Sequence, residues 1–165
     1  MVELLPLKDP VFKKYPVFTL SGNYFGFQLA LEGGIKKERH GREKGFRFLA
    51  TLGLPKKISG RIFIQHESRK TSLKPIAGLK LVSTSSVSFN EHFLLLASDE
   101  KMAKASFQPY LCEKISMLSE CNWQLDIHGT EAHFEVWQAV SNAPALAELL
   151  KVVIEILNAT LVASA

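Results

Sequence analysis

The chain has 165 residues and a formal charge of +4, with 47% hydrophobic and 22% charged residues. That composition is ordinary for a globular protein and argues against disorder, and the length fits one domain. The small net charge hides a division. Residues 1–80 hold 16 of the 20 Lys and Arg and 6 of the 16 acids, while residues 81–165 hold 4 bases and 10 acids. A half at +10 is thus joined to a half at −6, which signals a partner, an internal electrostatic seam, or both.

The first 16 residues carry Pro6, Pro10 and Pro16 and read as an extended arm ahead of a single domain over 17–165. Phe25, Phe27, Leu29 and Leu31 alternate with Tyr24, Gly26, Gln28 and Ala30, the period-2 pattern of a half-buried strand. Phe46, Phe48, Ala50, Leu52 and Leu54 repeat it after a polar loop. Shorter strands are predicted at 61–66, 78–83 and 91–97, separated by Gly-, Pro- and Ser-containing connections that suit an antiparallel meander. In an up-and-down meander the strand at 91–97 would deliver Asp99 and Glu100 to the end that holds loop 32–45.

Helical signals start at Ser98-Asp99-Glu100, a cap followed by an acid at the positive end of a helix. Pro109 should end that helix and open another, whose buried face is marked by Leu111, Ile115 and Leu118. A hairpin turning at Gly129-Thr130 sets Ile127 against Ala132, Asp126 against His133, Leu125 against Phe134, Gln124 against Glu135 and Trp123 against Val136. Apolar faces apolar and polar faces polar on every rung, a match that a one-residue slip would destroy. The last element, about 143–161, opens with Asn142 as cap and Pro144 in its first turn. Glu148, Lys151 and Glu155 form one narrow stripe on an otherwise apolar helix, so Leu149, Val153 and Ile156 are either core or interface, with packing on the sheet favoured.

The basic run Lys36, Lys37, Arg39, Arg42, Lys44 and Arg47 is the candidate site for binding anions or a partner. Glu38 and Glu43 interrupt it, and no aromatic interleaves with it before Phe46, unlike tracks that bind single-stranded nucleic acid. Of the five histidines at most two or three can converge, short of the three or four ligands a zinc site needs; Asp126 and His133 read as a surface pair. There is no nucleophile elbow, no local Cys–His signature and no glycine-rich phosphate loop, so no catalytic residue, metal or cofactor is expected. The serines at 83, 85, 86 and 88 read as a flexible turn. Cys112 and Cys121 read as reduced thiols. With no secretory-type start and no run of 18 apolar residues, the expectation is cytoplasmic, at a membrane periphery or in a larger complex.

Between Gly78 and Trp137 the chain has Phe89 and Phe93, Ser98-Asp99-Glu100, Ala103 and Ala105, Phe107-Gln108-Pro109, Leu111, Leu118 and then a strand hairpin. This run resembles a family of uncharacterised bacterial proteins. The resemblance implies a basic, variable hairpin upstream and frequent attachment to membrane anchors, and transfers no functional residue.

The expectation is therefore an α+β domain: an antiparallel meander of about six to eight strands with two or three helices on one face. Its function reads as a non-catalytic binding or assembly module that meets a protein partner through the basic hairpin, the apolar C-terminal helix, or both, with self-association also open. A peripheral reader of phosphate on anionic lipid or nucleic acid is the alternative. An enzyme with a cleft built from distant residues comes third.

Overall fold

A computed structural model describes residues 3–5, 17–37, 44–67, 76–139 and 143–165. Its strands are β1 (Glu3–Leu5), β2 (Val17–Tyr24), β3 (Phe27–Lys37), β4 (Lys44–Gly53), β5 (Arg61–His66), β6 (Lys80–Leu81), β7 (Phe93–Ala97), β8 (Asn122–His128) and β9 (Glu131–Ala139). Its helices are α1 (Val87–His92), α2 (Glu100–Ser106), α3 (Pro109–Ser116) and α4 (Ala143–Ala163). The strands make one sheet in the order β1-β2-β3-β4-β9-β8-β5-β7-β6, with every neighbouring pair antiparallel. This is the α+β architecture expected from the sequence. The ninth strand is β1, which pairs through Leu4 and Leu20; the rest of the arm, including Pro6, Pro10 and Pro16, lies outside the described residues.

The β8–β9 hairpin has the register read from the sequence, Trp123↔Val136 through Ile127↔Ala132. Its apolar side is closed completely: Trp123, Leu125, Ile127, Ala132 and Val136 are fully buried, and Phe134 nearly so. Burial of Leu125, Ile127, Phe134 and Val136 stabilises the fold by about 1.5–3 kcal/mol each. Aromatic rings tie this side to the helices. Trp123 lies 5.2 Å from Phe93 and 6.0 Å from Phe134, while Phe89 of α1 stacks on Phe93 at 5.4 Å and meets Phe107 at 6.0 Å. Asp99 caps α2 by accepting from the amides of Lys101 and Met102, and Pro109 opens α3. Leu111 and Ile115 are buried, with Leu118 packed at the margin of the core.

Three expectations are corrected. The predicted strand through Tyr24 to Leu31 is two strands joined by a tight turn, with Tyr24 opposite Phe27. The alternation runs on through the turn, so periodicity alone could not see it. The hydroxyls at 83–88 are an ordered helix start rather than a flexible turn: Ser86 accepts from Phe89 N, and Thr84 hydrogen-bonds Asn90. Most consequential, the sheet is not a simple meander, because β9 and β8 insert between β4 and β5. With β7 paired directly to β5, Ala97 lies beside Ile62. Asp99 therefore emerges beside Arg61, at the end opposite Lys36 and Lys44.

Candidate functional site

The alternation that buries Trp123, Leu125 and Ile127 turns Gln124, Asp126 and His128 to the other face of the sheet. The strands on either side supply arginines to it. Arg61 of β5 donates to Asp126 through Nε at 2.9 Å and Nη2 at 2.6 Å, a two-pronged pair. Those bonds push the Arg61 guanidinium above its already high pKa. Arg47 of β4 donates through Nε to Glu135 at 2.9 Å, and Gln124 donates to the other oxygen of Glu135 at 3.2 Å. Both pairs join an arginine of the positive half to an acid of the negative half. The charge division of the sequence thus resolves, in part, into a seam where β8 and β9 sit between β4 and β5.

The Asp126–His133 pair read from the sequence does not form. The rung is as expected, but the neighbouring Arg61 takes both Asp126 oxygens. His133 instead places Nε2 3.3 Å from Glu131, with Nδ1 3.5 Å from the Thr51 hydroxyl. His128 approaches Asp126 only to 3.7 Å. Among the described residues no three His, Cys, Asp or Glu groups are placed to hold a metal ion. Between the two arginine pairs lies an open groove of about 290 Å³, lined by Glu32, Leu49, Thr51, Phe63, Gln124 and His133 among others.

The basic run divides. Arg47 is neutralised by Glu135. Lys36 and Lys37 end β3 and Lys44 begins β4, and the register sets Lys37 opposite Lys44. Ile35 and Lys36 pair with Phe46 and Gly45 of β4, which β9 still flanks through Gln138 and Ala139, so these lysines lie at one end of the sheet. Arg39 and Arg42 lie outside the described residues, as do Arg69, Lys70 and Lys74.

The three candidate interface residues are inside. Leu149 and Val153 are 1% exposed and Ile156 is fully buried. They belong to the core that α4 forms with the sheet and with α2 and α3, because the apolar side of the sheet needs a cover. The stripe that faces water is the charged one. Glu148 pairs with Lys151, and Glu155 with Lys114 of α3 at 2.8 Å. Cys112 and Cys121 are buried, unbridged thiols, and desolvation pushes both above the usual thiol pKa.

Sequence reasoning missed the two arginine–carboxylate pairs, since no local signal says that β8 and β9 will insert beside Arg47 and Arg61. It also missed the exposed Phe25 at the β2–β3 turn, for which Gly26 one residue later was the available cue.

The chain matches no protein-family model and no curated protein. Among solved structures it is similar to the crystal structure of the mycobacterial trehalose monomycolate transport factor A, TtfA. The likeness has a TM-score of 0.60 at 11% identity, over 96% of this chain and 86% of that one. At that identity it establishes a shared fold. No helix among the described residues is long and apolar enough to cross a membrane.

Proposed function

We propose that the chain is a non-catalytic binding or assembly module that engages an acidic protein surface through the basic segment that ends β3 and begins β4. The observation that carries this is the register Lys37↔Lys44. Like charges directly opposite on a sheet are destabilising, and Lys36, Arg39 and Arg42 add the same sign of charge to this stretch of the sequence. A partner's carboxylates would convert that repulsion into attraction and steer the encounter. Arg47 and Arg61 do not belong to this surface, since they are neutralised within the sheet. Leu149, Val153 and Ile156 do not belong to it either, being core. The fold shared with a transport factor is in keeping with a non-catalytic accessory role.

The test is affinity capture from the native source by the unsubstituted chain and by a Lys36→Ala/Lys37→Ala/Arg39→Ala/Arg42→Ala variant. Specific protein partners should be lost from the variant and released by moderate salt. Equal capture by both overturns the reading. Retention of nucleic acid instead, with affinity falling linearly in log salt as counterions are released, assigns the segment to phosphate.

A further inference from the structure

The turn between β2 and β3 places an aromatic ring where the backbone disfavours one. Phe25 has φ +49° and Gly26 φ +86°. The left-handed region crowds the Cβ of a bulky residue against the next carbonyl, and glycine or asparagine is the usual occupant. Phe25 is moreover 71% exposed, held edge-on to Tyr24 with ring centroids 4.8 Å apart at 89°. Backbone and solvation both oppose this residue at the apex, so the fold does not account for it.

The same end of the sheet carries Lys56 and Lys57 in the β4–β5 loop, both exposed. Gln28↔Gly53 and Tyr24↔Phe27 place the turn and the loop beyond the ends of adjoining strands. Acids at this end are already engaged. Asp99 caps α2, Glu100 pairs with Lys104 at 2.6 Å, Glu148 with Lys151 at 2.9 Å, and Glu131 lies 3.3 Å from His133. Neither Lys56 nor Lys57 has an ion-pair partner among the described residues. The loop that carries the lysines is tied to the β8–β9 turn at Thr130 and Gly129, so ring and ammonium groups share one end of the sheet; exposed aromatic and lysine side chains together suit the boundary between hydrocarbon and anionic headgroups, where aromatic bodies sit and lysines reach phosphate.

We propose that this end of the sheet docks on an anionic lipid surface, with Phe25 entering the acyl boundary and Lys56 and Lys57 at the phosphates. Lys36, Lys37 and Lys44 lie at the opposite end of the sheet, so, on the function proposed above, one molecule can hold a membrane and a protein partner together.

Flotation with vesicles tests it. The unsubstituted chain should float with phosphatidylcholine–phosphatidylglycerol vesicles and not with phosphatidylcholine alone. Phe25→Gly should weaken this by about tenfold or more, the worth of burying the ring. Lys56→Ala and Lys57→Ala should each weaken it by about fivefold. Glycine relieves the positive φ while loosening the unfolded chain, and these effects oppose each other. Thermal unfolding of Phe25→Gly, and of Phe25→Asn as a second variant, should therefore match the unsubstituted chain. Equal flotation by the Phe25 variants overturns the proposal. So does failure of the unsubstituted chain to float, which would leave the turn to a protein partner.

Discussion

Replacing Ile156 by Ala should destabilise the single chain and leave its state of association alone. Ile156 is fully buried in α4, in a core that also holds Leu149, Val153 and Leu157. Truncating a buried isoleucine to alanine removes its transfer free energy and leaves a cavity, typically about 2–5 kcal/mol together. Against a total of about 5–15 kcal/mol for a domain, a loss near 3 kcal/mol is a large share. At about 2–4 °C per kcal/mol for a chain of this size, the melting temperature should fall by roughly 10 °C. Val153→Asp, which puts an unpaired carboxylate in the same core, belongs to the severe class above about 4–5 kcal/mol and should leave the chain largely unfolded. Urea unfolding followed by circular dichroism reads the first effect as a lower midpoint at unchanged slope, and sedimentation velocity reads association. A midpoint unmoved by Ile156→Ala, together with a changed sedimentation coefficient, would show that α4 covers an interface and would refute the packing described above.

Removing Arg61 should strand Asp126 between strands. Arg61→Ala is expected to cost about 1–3 kcal/mol in urea unfolding, and Arg61→Lys should recover only part, since an ammonium cannot reproduce the two-pronged bond; full recovery by lysine would count against that geometry. The buried thiols set an alkaline limit. Desolvation raises both pKa values in the folded chain, so their contribution is present below the unfolded thiol value of about 8.5 and is lost as pH rises through the folded values. The melting temperature should be lower at about pH 10 than at about pH 8, with both thiols slow toward a thiol reagent natively and fast in urea.

Sequence legibility followed the range of the interaction involved. The β8–β9 register was readable because both partners of every rung lie within 16 residues of each other, and their polarity match has one solution. Asp99 and Pro109 were readable because caps and prolines act within one helical turn. The insertion of β9 and β8 between β4 and β5 was not: Phe48 meets Val136 across 88 positions, and nothing local distinguishes that pairing from a β4–β5 hairpin. From that one error followed the misplaced Asp99 and the missed seam. The candidate site was half legible. Composition picked out the basic segment, but could not show that Arg47 is answered by Glu135 or that Lys37 confronts Lys44. For α4, an apolar helix reads the same whether it covers its own sheet or another molecule, and only the topology decides.

The inserted hairpin also sets a schedule for synthesis. β4 and β5 are made early, but each lacks its central neighbour until residues 122–139 leave the ribosome. Until then one edge of β4 and one of β5 lack their partners in the nascent chain, the condition in which strands add to one another between molecules. Long-range pairing of this kind is slow to form. A truncated product ending before β8 would carry both raw edges permanently, and should aggregate rather than persist as a half-sheet.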